Sequence, residues 1–365
     1  MATVPFDIGP GGAAHYTDYP AWYADLDDDT PYDAGDDAIG RMTEMEDVGA
    51  GGLTLAAGHT LGLSSVKLTA HPDYLHDGTE GSGVGFRAMA DTSASLFVVQ
   101  PSSSSTPHYV EDLEFDGADF NCSASSPANG LIYLAAPSPY TGARVARCIL
   151  HANHTNHYCT GLVQVRAIVV RNIIYDMTTT HTGGADAYGI YGSGSATGTA
   201  RTRNNTIYWI QKSDGNGAVG ILSLDNAAKT VQNNLAGGCD SVGGGTEADF
   251  SPSTMSSGVK DYNASEDTTA GGTNGVISLT MADQFISITV GAEELCLKAG
   301  ADVIGVGDDY GTTDDVHLDV IRFDVDTPAL SWDIGACQYV AAGGGATPKG
   351  VFGLALDGPL RRAVY

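Results

Sequence analysis

Short apolar runs alternate along this chain with a recurring polar phrase. It reads VEDLEF around Asp112, VARCIL around Arg147, VVRNIIYD around Asn172, RNNTIYW around Asn205, VQNNLAG around Asn234 and VKDYNAS around Asp261. A second phrase interleaves with it, a glycine followed by a short apolar strand: GLIYL at Gly130, GLVQV at Gly161, GIYGS at Gly189 and GILSL at Gly220. Two strand phrases per irregular period of about 29 residues predict a coil of short parallel strands, because fixed-period self-similarity marks a repeat architecture. One coil cannot bury its apolar face alone; coils stacked at the roughly 4.8 Å strand spacing can. The asparagines belong at the bend between two strands of a coil, where Asn tolerates left-handed backbone. Stacked on one another, Asn172, Asn205 and Asn234 form an amide ladder. The glycines would let the backbone turn sharply. A β-propeller has a similar period but needs four antiparallel strands per blade, and only two or three convincing strands fit each period here.

The ends carry further pattern. HYTDYPAWYADL predicts an amphipathic helix near the start. Towards the end come AEELCLKAGADVIGVGDDYG, IRFDV and SWDIGACQYV. Together with the repeat, these segments resemble the right-handed parallel β-helix of the pectin-lyase-like superfamily, whose closing coil often runs L-x-x-G-S-P-A-I-x-x-G, then an Arg, then DIGAxEY. Ala301-Asp302 stands where Ser-Pro is usual and Gln338 where Glu is usual. The opening segment, followed by HDGTEGSGVGF, is similar to phage and environmental members of that group. The resemblance covers residues 1–340. It implies an all-β solenoid with an N-terminal cap and a C-terminal extension, and it specifies no chemistry.

Three segments follow. Residues 1–50 read as a cap, 51–340 as the coil stack, and 341–365 as a Gly-linked C-terminal attachment tail. The tail contrasts with the body. Against an overall net charge of -27, it carries Lys349, Arg361 and Arg362 with a single acid, Asp357. It is also apolar, with Val351, Phe352, Leu354, Leu356 and Leu360. A strand folded back on the stack is one reading; a peptide docking on a neighbouring subunit or a larger particle is the other.

The acidic balance argues against nucleic acid as a partner, since phosphate binding needs a basic surface. No run of 18 apolar residues exists, so no membrane span is expected. The first residues show neither a basic region nor an apolar one of the kind a secretory signal needs. The six cysteines lack CxxC pairing, and buried free thiols are expected in preference to disulfides. Four N-x-[ST] sequons, at Asn121, Asn153, Asn204 and Asn263, carry little weight alone.

Candidate chemistry is sparse. His151, His154 and His157 with Cys159 offer transition-metal ligands, though an exposed polar loop accounts for them equally well. Asp308 and Asp309, with Asp314 and Asp315, offer oxygen ligands for Ca²⁺, as does DLDDDTPYDAGDD at 25–37, but neither has an ordered ligand pattern. No other cofactor is expected. β-Helix glycan-cleaving enzymes carry acidic phrases on consecutive mid-stack coils, and this chain has none in order. Tyr188, Tyr191, Tyr208 and Trp209 suit sugar stacking or plain packing. The leading expectation is a non-enzymatic structural protein of a bacteriophage virion, made without a signal peptide: a capsid decoration, spike or fibre component. Its partners would be capsid or tail proteins and further copies of itself, a trimer among the options. The alternatives are a polysaccharide lyase or hydrolase, virion-borne or extracellular, and a non-catalytic module binding host surface glycans.

Overall fold

The structure, a computed structural model, describes residues 3–10, 15–27, 31–56, 62–89, 95–100, 106–117, 130–135, 142–152, 159–165, 167–180, 186–192, 200–213, 216–223, 229–251, 259–309 and 332–339. The chain is a parallel β-solenoid in which each full coil adds one strand to each of three sheets. Sheet A runs from Thr3–Ile8 through Asp37–Met42, Ser65–Ala70, His108–Glu111, Ala143–Ala146, Ile168–Val170, Ala200–Arg203 and Lys229–Gln232 to Val259–Asp261. Sheet B runs from Met45–Val48 to Ala264–Ser265 by way of Gly85–Ala88, Glu114–Asp116, Ile149–His151, Ile173–Thr179, Thr206–Lys212 and Leu235–Gly237. Sheet C runs from Leu53–Ala56 to Glu247–Phe250, with Cys159–Val165, Ala187–Gly192 and Ala218–Ser223 in its middle. The polar phrase therefore encodes two strands and the bend between them, A to B, and the glycine phrase encodes the third.

In-register apolar columns fill the interior. Sheet A contributes Leu68, Val110, Val145 and Val169; sheet B, Phe86, Phe115, Leu150, Ile174 and Ile207; sheet C, Phe97, Ile132, Leu162, Ile190, Ile221 and Phe250. Like residues meet like at the cross-strand spacing, so each coil buries the apolar edge of the next.

Two adjacent residues share the work at the A–B bend. The first takes left-handed backbone: Asp112, Arg147, Arg171, Asn204, Asn233 and Tyr262 all have φ between 50° and 61°. The second points inward. Asn172, Asn205, Asn234 and Asn263 stack there, all buried. Asn205 Oδ1 accepts from both the backbone N–H and the Nδ2 of Asn172, each at 3.0 Å. Asn234 serves Asn205 at 3.1 and 2.9 Å, and Asn263 serves Asn234 at 3.0 and 3.0 Å. Each Nδ2 also donates to a strand carbonyl: Val145, Val169, Thr202 and Val231 in turn. Aligning the phrases on Asp112, Arg147 and Asp261 is therefore out of step. The inward positions are Leu113, Cys148 and Asn263, and the ladder has a fourth member.

The glycine column has a different cause from a sharp turn. Gly161, Gly189 and Gly220 lie within strands of sheet C. A Cβ on Gly189 would stand 2.6 Å from Ile207 Cγ2 and 2.7 Å from the Gly220 carbonyl, so the site excludes any side chain.

Both ends are closed. The helix Tyr19–Ala24, capped by Asp18 accepting from the Ala21 N–H at 2.9 Å, seats Tyr19 and Trp22 on the first coil. Trp22 Nε1 donates to the Tyr32 hydroxyl at 2.8 Å, and Pro5 lies in the outermost strand of sheet A, where proline blunts an edge. At the far end, residues 266–270 cross the last coil and bury Ala270. The chain then forms an antiparallel hairpin, Phe285–Thr289 with Ala292–Leu297. Phe285, Leu295 and Leu297 pack on the outer face of sheet B against Ile149, Ile173, Tyr175 and Tyr208.

Cys296 of the hairpin is disulfide-bonded to Cys337, across a separation of 41 residues. This corrects the expectation of free thiols. The fold alone brings the two together, and spacing in the sequence carries no trace of it. Cys148 and Cys159 are free and buried, and Cys239 is free. Among the described residues no helix is long and apolar enough to cross a membrane. Of the sequons, Asn204 and Asn263 are buried.

Truncating Asn205 to Ala orphans the Asn172 N–H and leaves Asn234 Oδ1 one donor short. The expected cost is about 2–4 kcal/mol, read as a lowered denaturant midpoint at unchanged slope.

Candidate functional site

The richest polar cluster sits on the outer face of sheet B. The register places Arg87, Asp116, His151, Tyr175 and Tyr208 in one outward column. Glu114 stands in the next column, beside Ile149. Two segments cover this face: the loop 77–84 and the hairpin, joined by an antiparallel bridge between Thr79 and Glu294.

His151 is the centre. Its Nε2 lies 3.0 Å from Glu114 Oε1, and its Nδ1 lies 3.9 Å from both Glu80 Oε1 and Asp116 Oδ1. The imidazole stacks on Tyr175 with centroids 5.5 Å apart, and the Tyr175 hydroxyl donates to Glu80 Oε2 at 3.2 Å. Burial works against an imidazolium here, but Glu114, Glu80 and Asp116 outweigh it and raise the His151 pKa. Burial also opposes a Glu114 carboxylate. The His151 bond and the N–H groups of Gly81 (2.7 Å) and Gly83 (3.2 Å) outweigh that and lower its pKa. Next along the strand, Asp176 adopts left-handed backbone with φ 53°. Burial, with Glu293 of the hairpin second, pushes its carboxyl up to about 6. One carboxylate oxygen of Glu293 is buried with no hydrogen-bond partner.

A second cluster lies on sheet A. Glu111 is buried between Lys67 Nζ at 2.6 Å, Arg147 at 2.8 Å and Arg144. Arg147 Nε also donates to Asp112 Oδ1 at 2.6 Å. Burial again opposes the charge, and Arg147, Arg144 and Lys67 hold Glu111 well below the usual carboxylate range. His76 Nε2 lies 2.7 Å from the Arg147 carbonyl, which ties the covering loop to this network as well.

The remaining sequence candidates are scattered. His154 and His157 lie outside the described residues, as do Asp314, Asp315 and the tail residues Val351, Phe352, Leu354, Leu356, Leu360, Arg361 and Arg362. Cys159 points into the core, its Sγ 3.8 Å from Met177 Sδ, away from the outward His151. Asp308 exchanges two hydrogen bonds with the Asn233 side chain, at 2.8 and 2.9 Å, through its backbone. Among the described residues no group of three or more His, Cys, Asp or Glu side chains could hold a metal ion. Tyr208 packs under Phe285 of the hairpin at 5.8 Å, and Tyr188 donates to Asp186 Oδ2 at 2.6 Å.

The sequence reading missed Glu80, Glu114, Asp116, Asp176 and Glu293. One signal was available. Asp116, His151, Tyr175 and Tyr208 each stand three places after the inward bend residue, so correct phrasing of the repeat aligns them in a column. Glu80 and Glu293 come from covering segments outside the repeat and leave no such mark.

The fold defines the class: a parallel β-solenoid with a covered outer face. No protein-family model matches the chain, and no curated protein and no solved structure matches it either.

The pH dependence of the covering loop follows from these two groups. His151, with its pKa raised, contributes stability that is full below the unfolded value and lost as pH rises through the folded one. Glu114, with its pKa lowered, contributes stability present above its unfolded value and lost in acid. Both act together between about pH 4.5 and 6.5. Replacing Glu114 with Gln removes the charge. His151 should then titrate at lower pH by NMR, and limited proteolysis at 77–84 should quicken most near pH 6.

Proposed function

We propose that this chain is a non-enzymatic structural protein displayed on a bacteriophage particle, as a capsid decoration, spike or fibre component. The observation that carries the reading is how the most enzyme-like group spends its bonds. The Glu114 carboxylate beside His151 accepts from two backbone N–H groups of the covering loop. It fastens a segment, where a general base would keep a free oxygen for substrate. Two further features support a protein built to persist outside a cell. Its covering segments are tied down by the hydrogen bonds of Gly81 and Gly83 to Glu114 and by the Cys296–Cys337 disulfide, a bond characteristic of oxidising surroundings. The opening and closing segments resemble phage members of the β-helix group.

A second reading, cleavage of an acidic glycan, has one specific observation in its favour. Asp176, with its carboxyl at about 6 and Glu293 near it, has the proton affinity of a general acid working near neutral pH. The backbone there argues for packing instead. The positions that follow Tyr208 and Gly237 in the next coils, Trp209 and Gly238, share the left-handed conformation, so the bend is a repeated structural device.

Two measurements decide between them. In a density gradient of a phage lysate, the chain should sediment with assembled particles. Incubated with uronate-containing polysaccharides, with or without Ca²⁺, the purified protein should release neither unsaturated uronate nor reducing ends. Cleavage that disappears in Asp176→Asn would establish the enzyme reading and end the structural one.

A further inference from the structure

The far end of the stack is held by a pair of carboxyl groups that bond each other's backbone. Asp249 lies in Glu247–Phe250, the last strand of sheet C. Asp267 lies in the segment that crosses the end of the stack. The Asp249 N–H donates to Asp267 Oδ2 at 3.1 Å, and the Asp267 N–H donates to Asp249 Oδ2 at 3.0 Å. The pairing extends on both sides. Asp267 Oδ1 accepts from the Thr269 N–H at 2.7 Å and the Thr269 hydroxyl at 2.6 Å, while the Phe250 N–H donates to Thr269 Oγ1 at 2.9 Å. Ala270, just beyond, is fully buried in the core.

Two carboxylates this close repel each other, and Asp249 is only 2% exposed, so water screens the repulsion weakly. Among the described residues, the groups that act on Asp249 include no cation to offset it. They are Asp267, the Cys239 thiol, which hydrogen-bonds it, and the Glu266 backbone N–H. Lys260, on the other side of Asp267, gives its ammonium to the Thr269 carbonyl at 3.0 Å. Protonating one carboxyl relieves that repulsion, and burial favours the proton on Asp249.

We propose that this clasp is a proton-operated latch: it holds the 266–270 segment across the end of the stack while Asp249 carries its proton, and loosens when that proton leaves. Burial, then the charge of Asp267, pushes the Asp249 carboxyl up to about 7, so the change falls in the physiological range. The sign follows from linkage. A carboxyl raised in the closed state contributes stability that is full below its open-state value, about 4, and lost as pH rises through about 7. Opening frees the backbone of Glu247–Phe250. Among the described residues no strand pairs beyond it in sheet C. An exposed edge of this kind accepts a further extended segment.

The test is hydrogen exchange of the full chain, read at the Asp249, Phe250, Asp267 and Thr269 amides and corrected for intrinsic rates. Opening should increase by up to about tenfold per pH unit between pH 5 and 7 and level off above. Asp249→Asn, which keeps the shape and an acceptor oxygen but cannot ionise, should flatten that dependence. Carboxyl NMR of the unaltered protein gives a second readout, with Asp249 titrating near 7 and moving down in Asp267→Asn. A flat exchange profile in the unaltered protein, an Asp249 midpoint in the ordinary carboxylate range, or an unchanged slope in Asp249→Asn would each overturn the latch.

Discussion

Everything in this structure depends on turning the chain sharply between sheets A and B without stranding a polar group. A tight bend buries amides that no strand ladder can reach, and an orphaned buried amide costs about as much as several good contacts return. Two adjacent residues solve it. One adopts the left-handed backbone. The next sends a carboxamide inward that accepts from the coil before it and donates to a strand carbonyl. Because each asparagine satisfies the one before it, the ladder is directional, and each member before Asn263 depends on the one that follows.

The ladder runs only from Asn172 to Asn263, and the earlier bends use other means. Leu113 and Cys148 take the inward position, so the amide at Cys148 finds its acceptor in Asn172 at 2.9 Å. The left-handed residues there are Asp112 and Arg147, which bond each other and tie into Glu111. In the later coils the left-handed residues are Asn204 and Asn233, freed from ladder duty. They hold the C-terminal segment instead, Asn204 donating to the Asp333 carbonyl at 3.1 Å and Asn233 pairing with the Asp308 backbone. Arg171 belongs to the same seam, its guanidinium 4.8 Å from the Trp332 ring centroid. The doubled asparagine thus has two jobs, one inside the solenoid and one on its surface.

Much of this was legible in the sequence, for a physical reason. A solenoid repeats its local constraints, so the asparagine bend, the glycine column and the apolar strands each recur and can be aligned. Asn172, Asn205 and Asn234 stand out because only a carboxamide both accepts and donates in that geometry. Leu113 and Cys148 meet the same constraint without a carboxamide and are invisible to pattern. The candidate site was much less legible. His151 attracted notice as one of three histidines in a row, whereas its structural partners are Glu80, Glu114 and Tyr175 from three separate segments. Side chains brought together by a covering loop and a hairpin have no common period, and neither do Cys296 and Cys337.

The ionisable groups divide by location in a way the fold explains. Glu111 secures the body of the stack and Glu114 holds the covering loop; cations or N–H groups surround both and lower their pKa values. Asp176, Asp249 and Asp333 serve the covering and closing segments, where burial outweighs the amides around them and the cations near two of them, His151 for Asp176 and Arg171 for Asp333. Burial pushes them up to about 6, 7 and 6. Their sign is opposite: as pH rises through that range they cost stability, and the His151–Glu114 tie weakens as His151 loses its proton, while the Glu111 ion pairs remain at full strength. A rise in pH therefore loosens the outer layer and leaves the coils intact. Linked equilibria of this kind need two parts of unequal stability within one molecule. The solenoid supplies them, a stack satisfied by its own repeat and a cover satisfied only by the residues it happens to meet.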